Sequence, residues 1–193
     1  MKGKGPFYTG YLEKLYMVTF QALAAHSRTS AFRFDLQLPD PHYYVNYDRL
    51  IDRFIESLKT KIRYSRNKAK LKNLKAHLTD IRYVWACECN KRGEVHYHFV
   101  LFLNYDAINV LGTYEEGRQN LFSKIVEAWY SALDIKSDLE STKRLVHAAD
   151  NGTYYLSASE PDSVDIFFER ASYLAKVATK QGSSRHSFGG SRL

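Results

Sequence analysis

Residues 81–103 read IRYVWACECNKRGEVHYHFVLFL, and this stretch decides the fold. Its two arms, Ile81 to Cys89 and Val95 to Leu103, are the strongest strand candidates in the sequence because they are short, apolar and aromatic. The five residues between them are polar and include Gly93, which is typical of a hairpin loop. The stretch therefore predicts two antiparallel strands within a sheet.

Two histidines and a glutamate are predicted to meet on one face of this hairpin. Alternation of side chains puts His96 and His98 on the same face of their strand, and closure about Arg92 places Glu88 opposite His96. Cross-strand neighbours lie about 5 Å apart at Cβ. Two imidazoles and a carboxylate are a ligand set for a divalent cation such as Mn²⁺ or Mg²⁺. The alternative is a pair of strand histidines with no metal.

Zinc is the competing metal because Cys87 and Cys89 carry the thiols that zinc prefers. Strand alternation directs both cysteines away from the histidines. The spacing therefore favours the Glu88, His96 and His98 set.

The other segments alternate between helical and strand patterns. This order predicts an α+β domain with a central antiparallel β-sheet of about five strands and flanking helices. Helices are predicted at 8–25, from about 46 into the basic segment that follows, near 121–133 and at 163–180, with a strand at 32–38 and a second hairpin formed by 145–148 and 153–157.

The net charge of +7 is concentrated in two places. One is residues 59–75, called the basic strip below, and the other is the C-terminal flank from residue 176; neither contains an acid. Such clusters suit a polyanion such as nucleic acid, although a solvated helix end and a loose tail would carry the same charges. The candidate DNA-binding residues are Lys59, Lys61, Arg63, Arg66, Lys68, Lys70, Lys72, Lys75, Arg185 and Arg192.

A tyrosine flanked by lysines stands out in the last predicted helix. At 100° per residue, Tyr173, Lys176 and Lys180 fall in a narrow arc, nearly opposite the apolar stripe. Ammonium groups beside a phenol stabilise the phenolate and an approaching phosphate, so Tyr173 is a candidate nucleophile. The alternative is a surface tyrosine beside solvated lysines.

The composition favours a cytoplasmic protein. The longest apolar run, residues 99–103, is too short to span a bilayer, and the N-terminus lacks the pattern of a signal peptide. The two cysteines lie too close together for a useful disulfide. No membrane partner is expected.

His96-Tyr97-His98 on a strand, followed by Tyr173-x-x-Lys176 on a helix, resembles the HUH (His-hydrophobe-His) endonucleases. These include rolling-circle replication initiators, relaxases and related transposases. From about residue 15 onward the chain is similar to filamentous-phage (inovirus) replication proteins and to the related YagK/YfjJ proteins of bacterial prophages. The segments that carry this similarity are 25–28, 33–36, 85–88, 96–99 and 185–192.

The resemblance implies a fold and a domain division. Residues 31–180 would form an HUH endonuclease domain, whose sheet is related to ferredoxin-like and RRM folds. Residues 1–30 would form an N-terminal helical extension, and residues 181–193 a basic Gly/Ser tail.

The resemblance also implies an activity, namely metal-dependent nicking and rejoining of single-stranded DNA through a 5′-phosphotyrosine. This reaction would initiate rolling-circle replication of a phage or phage-like element at an origin hairpin. His96, His98 and Glu88 would hold Mn²⁺ or Mg²⁺. Tyr173 would be the nucleophile, and Lys176 with Lys180 would stabilise the charge on the phosphate.

The sequence departs from the two-tyrosine relatives at Val177, where they have their second tyrosine, and no tyrosine follows Tyr173. A second subunit of a homodimer or the free 3′-hydroxyl would therefore complete rejoining. The chain has no helicase-type phosphate-binding loop, so a helicase and the replication machinery of the bacterial host are the expected partners.

Two other functions fit parts of the sequence. A non-catalytic single-stranded DNA-binding module or repressor on the same fold would keep the basic clusters without cleavage. A metal-dependent hydrolase unrelated to DNA would leave those clusters unexplained.

Overall fold

The computed structural model describes residues 6–39, 49–89, 94–113, 119–135, 145–177 and 187–192. Within these ranges four helices flank five strands. In chain order the elements are α1 (Thr9–Ala25), β1 (Arg28–Gln37), α2 (Leu50–Lys72), β2 (Arg82–Cys89), β3 (Val95–Asn104), α3 (Leu121–Leu133), β4 (Val146–Ser157), α4 (Pro161–Ala171), a 3₁₀ turn (Ser172–Ala175) and β5 (Phe188–Gly190).

The five strands form one sheet in the order β4-β1-β3-β2-β5, and every neighbouring pair is antiparallel. The predicted α+β class with a five-stranded antiparallel sheet is confirmed. The predicted hairpin is confirmed as β2 and β3, and Glu88 is paired directly with His96.

Each face of the sheet is covered by two helices, because the central strands β1 and β3 bury side chains on both sides. On one face α2 and α3 enclose an aromatic core in which Phe54 packs edge-on against Phe99 and Trp129. On the other face α1 and α4 cover smaller residues of the central strands, among them Ala31 and Ala86. The first face is called the α2 face below and the second the α1 face.

The expectation of a second hairpin at 145–157 is wrong. Val146–Ser157 forms one strand that pairs with β1, and the register shifts between Phe32 and Phe34. Asn151 takes up the irregularity with a positive φ of 49°. A Cβ on Gly152 would lie 2.8 Å from the Arg33 carbonyl oxygen. The close approach of the β4 backbone to the β1 backbone at this point therefore depends on glycine.

The basic strip is more helical than the sequence indicates. We expected the helix to give way to a loop within the strip, but α2 continues to Lys72 and leaves only the last three residues beyond it. The start expected near Asn46 lies outside the described residues, which enter α2 at Leu50.

Elements of the sheet lie on both sides of the proposed boundaries at residues 30 and 180. β1 begins at Arg28, and α1 packs on the sheet through Leu15 and Val18. β5 lies within the segment expected to be a tail and pairs with β2. No helix in the described part of the chain is long and apolar enough to cross a membrane.

Candidate metal centre

The Glu88, His96 and His98 side chains converge on the α1 face of the sheet. Their ligand atoms all lie within 4.8 Å of one another. Nε2 of His96 is 3.9 Å from Oε2 of Glu88, and Nε2 of His98 is 3.3 Å from the same oxygen. Because Glu88 is only 6 % exposed, its carboxylate is largely removed from water. The sequence-predicted cluster is therefore present.

A fourth residue, Asp35, supports this cluster from β1. Asp35 is paired with His98 across the β1–β3 ladder, and its Oδ1 lies 2.6 Å from Nδ1 of His98. A carboxylate on one ring nitrogen fixes the ring orientation and directs the other nitrogen to a metal. The sequence analysis gave Asp35 no role. The one signal in the sequence was that Asp35 is a charged residue in a strand whose neighbouring positions, Phe34 and Leu36, are apolar and buried.

The electrostatics of His98 follow from these two carboxylates. Burial alone would lower the pKa of His98, but the hydrogen bond with Asp35 and the neighbouring Glu88 outweigh it and raise the pKa from 6.5 to about 9. The imidazole is thus held as a cation between two acids in the metal-free chain.

The residues fit a divalent cation. Nε2 of His98 is buried and has no hydrogen-bond partner among the described residues, because the Glu88 contact has the distance of an ion pair without hydrogen-bond geometry. In the metal-free chain this nitrogen is protonated and ion-paired with Glu88, and once it loses that proton it presents a lone pair to a cation. Two imidazole nitrogens and a carboxylate can supply three ligands. Together they form a candidate site for a divalent cation.

The cysteines do not contribute to this centre. Cys87 and Cys89 alternate with Glu88 along β2 and are paired with Tyr97 and Val95 on β3. Alternation along β2 puts the side chain of Cys87 on the same side of the strand as that of Trp85, which packs on the α2 face. The preference for the Glu-His-His set over a Cys/His zinc site agrees with this geometry.

Tyr173 lies on the same face of the sheet as the metal centre, in the 3₁₀ turn and not in an α-helix. The 3₁₀ turn contacts β2, and Leu174 is buried beside Val84 and Ala86 on the α1 face. Tyr173 itself is 43 % exposed. Nζ of Lys176 is 5.4 Å from the centre of the Tyr173 ring, so this lysine and the phenol are neighbours, as expected.

The prediction of a helix to residue 180 is wrong, because α4 ends at Ala171. Ser172 donates its hydroxyl to the Glu169 carbonyl, a local bond that competes with helix continuation. The chain then pairs with the N-terminal segment, since the amide of Tyr8 donates to Ala175 and that of Val177 donates to Pro6. The predicted α-helical arc from Tyr173 to Lys180 is interrupted, because Tyr173 lies in the 3₁₀ turn and Lys176 is extended; Lys180 lies outside the described residues.

The structure divides the predicted DNA-binding residues. Most of the basic strip belongs to α2 and therefore lies on the other face of the sheet from the metal centre. Lys61 forms an ion pair with Glu127, and Arg66 donates to the His77 carbonyl. Arg192 follows β5 at the edge of the sheet, whereas Arg185 lies outside the described residues. The remaining strip residues with exposed side chains are Arg63, Lys68, Lys70, Lys72 and Lys75.

Comparison with known proteins places this chain in a family. The model of the YagK/YfjJ C-terminal domain matches residues 1–191. The chain belongs to the YagK/YfjJ C-terminal domain family. It is similar to the uncharacterized protein YfjJ of Escherichia coli strain K12, with 32% identity over 197 residues that cover 94% of this chain and 93% of YfjJ. It is also similar to the uncharacterized protein YagK of the same strain, with 32% identity over 148 residues that cover 75% of this chain and 70% of YagK. No solved structure matches the chain.

The YagK/YfjJ match extends across the metal centre, the 3₁₀ turn and β5. The segment expected to be a loose tail thus lies inside the family domain up to residue 191.

Proposed function

We propose that this YagK/YfjJ domain is an HUH-type endonuclease that nicks and rejoins single-stranded DNA with Tyr173 as its nucleophile. The observation that carries the proposal is the convergence of the Glu88, His96 and His98 ligand atoms within 4.8 Å of one another, on the sheet face that also carries the tyrosine turn.

Glu88, His96 and His98 would hold Mn²⁺ or Mg²⁺. When bound, such a cation supplies charge stabilisation at a phosphate oxygen and orients the phosphate. Asp35 keeps the His98 ring aligned through Nδ1, so that Nε2 faces the other two ligands. The role of these residues is to bind and orient; none of them needs to act as a nucleophile.

Tyr173 would carry the covalent step. Its phenolic oxygen attacks the scissile phosphorus, a phosphotyrosine bond forms, and the bond from phosphorus to the 3′ oxygen breaks. In the net reaction the phenol proton ends on the released 3′-hydroxyl. The phosphodiester energy is kept in the new ester, so a 3′-hydroxyl can attack it and restore the strand. The ammonium of Lys176, next to the ring, stabilises negative charge on the phenol and on the phosphate.

The released 3′-hydroxyl links the nicking reaction to DNA replication. It can prime DNA synthesis, which is the initiating step of rolling-circle replication in phages and phage-like elements. Because one tyrosine serves each chain in this proposal, rejoining uses the 3′-hydroxyl of the displaced strand or a second subunit. Unwinding would come from a helicase of the bacterial host.

The test is covalent capture of the DNA. The protein is incubated with Mn²⁺ and single-stranded DNA from the region flanking its gene, and a labelled adduct is sought on a denaturing gel. We expect an adduct with the wild type and none with Tyr173→Phe. Tyr155→Phe is the matched control, because Tyr155 is also about half exposed but lies in the edge strand β4. It should give the wild-type adduct.

Two results would overturn the proposal. An adduct that persists in Tyr173→Phe would exclude this nucleophile. Binding of single-stranded DNA that is unaffected by EDTA, with no adduct on any DNA from the flanking region, would favour the non-catalytic binding module or repressor instead.

A further inference from the structure

A second polar site lies at the far end of β2 from the metal centre. It is a cleft of about 920 Å³ bounded by one side of α2, by residues 78–83 and by Ser191 and Arg192. Arg82 and Glu88 are six residues apart on β2. At roughly 3.3 Å per residue the two ends are separated by ~20 Å. The cleft is therefore distinct from the metal centre.

The cleft carries an excess of positive charge. Two of its three carboxylates, those of Asp52 and Glu56, already lie within ion-pair distance of Arg49. Arg49 offsets only one of these two negative charges, so the second of them and Asp80 are set against five other cations, which leaves a net charge of +3. Those cations are Lys59, Arg63, Arg66, Arg82 and Arg192.

These cations come from opposite walls. Lys59, Arg63 and Arg66 follow one another at spacings of four and three residues, so they form a stripe along one side of α2. Arg82 and Arg192 line the cleft from β2 and from the segment after β5. A strand that entered the cleft would meet guanidinium or ammonium groups on both sides.

The cleft also connects the two faces of the sheet. α2 belongs to one face, whereas His26, another lining residue, follows α1 on the other. Arg82 lies between them. Its Nη1 donates to Gln21 of α1, and its buried Nε has no hydrogen-bond partner in the described part of the chain. A bound chain could thus pass round the N-terminal end of β2 toward the face that carries the metal centre.

We propose that this cleft binds the sugar-phosphate backbone of single-stranded DNA, at a distance from the phosphate that would be cut. The inference rests on the proposed function for its choice of DNA. A positively charged groove that follows the backbone is how proteins hold single strands without reading their sequence, and an aromatic wall adds stacking. Tyr83, with Lys59 Nζ 5.6 Å from its ring centre, supplies such a wall. The proposal narrows the DNA-binding set predicted from the sequence, because Lys68 and Lys70 of that set do not line the cleft and should make no contact with the strand.

The experiment compares two double variants that lose the same charge. Arg63→Gln with Arg192→Gln removes one exposed cation from each wall, whereas Lys68→Gln with Lys70→Gln removes two exposed cations from α2 outside the cleft. Binding of a fluorescein-labelled single-stranded oligonucleotide is followed by anisotropy in EDTA at several salt concentrations. Thermal denaturation checks that both variants are folded.

We expect the cleft variant to bind about tenfold more weakly at low salt, since two charge-assisted phosphate contacts are lost. The slope of log K against log salt should fall in magnitude by about 1.4, because each contact with a single-stranded phosphate contributes about 0.7. The control variant should stay within about twofold of the wild type, as expected for exposed charges that touch no ligand.

The proposal is overturned if both double variants weaken binding equally, if the cleft variant binds like the wild type, or if a duplex binds as tightly as the single strand. Because EDTA removes any cleavage from the assay, these outcomes are independent of the adduct test. A cleft that binds DNA in a protein that never forms an adduct would sink the proposed enzyme and leave this inference standing.

Discussion

The carboxylate of Asp35 and the imidazole of His98 are joined by a hydrogen bond of 2.6 Å between two neighbouring strands. This bond occupies Nδ1 of His98 and leaves Nε2 facing Glu88 at 3.3 Å. The candidate metal centre is therefore built from three strands, with potential ligands from β2 and β3 and a group from β1 that holds the His98 ring.

Replacement of Asp35 should weaken metal binding without removing a ligand. Asp35→Asn keeps the size of the side chain but loses its charge, so the ring is held less firmly and its Nε2 is less basic. We expect Mn²⁺ affinity to fall by about 10- to 100-fold, the usual effect of losing such a partner, as measured by isothermal titration calorimetry. Asp106→Asn, which removes a carboxylate that pairs with Arg28 on the surface, is the control. Equal affinities for Asp35→Asn and the wild type would show that Asp35 has no orienting role.

The raised pKa of His98 predicts that metal and proton compete. With a pKa of about 9, His98 carries its proton at neutral pH in the metal-free protein and must lose it to bind a cation. Affinity should therefore rise with pH, by about tenfold per unit up to pH 9, and level off above it. Calorimetry at pH 7.5 in buffers of different ionisation enthalpy should detect release of close to one proton per metal. Asp35→Asn should release less, and a pH-independent affinity would contradict the assignment.

The hairpin and its three ligands could be predicted from the sequence because they depend on local rules. Alternation along a strand and symmetric closure are enough to bring Glu88 opposite His96, and the observed register agrees. The same alternation separated the cysteines from the histidines. Fold class followed from the order of the patterns, and five antiparallel strands are present.

The parts that failed depend on contacts between distant segments. Asp35 meets His98 across 63 positions in the chain, and nothing in a single sequence fixes which strand lies beside β3. The end of α4 is set partly by pairing of Ala175–Val177 with Pro6–Tyr8, some 170 residues away. Helical periodicity around Tyr173 was real, but tertiary pairing overrode it.

β5 should be sensitive to a single methyl group. A Cβ on Gly189 would lie 2.6 Å from the indole of Trp85, closer than packed atoms can approach. Gly189→Ala should therefore destabilise the fold by about 1–3 kcal/mol, as overpacking does. Gly10→Ala is the matched control, since a Cβ there would meet no described residue within 4 Å apart from its own helix backbone and chain neighbours. The residue is helical, so the substitution should be neutral or gain up to about 1 kcal/mol. Urea denaturation measures both, and equal stabilities would mean that β5 does not pack tightly on Trp85.

Lys176 should affect the rate of adduct formation more than the binding of DNA. Its ammonium is next to the Tyr173 ring, while its backbone forms the bridge to Phe7. Lys176→Gln leaves that bridge intact and removes the charge. Single-turnover formation of the adduct should slow by about 10²-fold, which is typical when one group that stabilises transition-state charge is lost. Affinity for the single strand, measured in EDTA, should change little.

Two further variants separate the charge of Lys176 from its shape and from bulk electrostatics. Lys176→Arg retains the cation and should recover most of the rate, because a guanidinium also stabilises phosphate charge. Lys70→Gln removes one exposed charge from α2, on the other face of the sheet, and should leave the rate unchanged. If Lys70→Gln slowed the reaction as much as Lys176→Gln, the effect would reflect the net charge of the protein, and the role of Lys176 beside Tyr173 would be refuted.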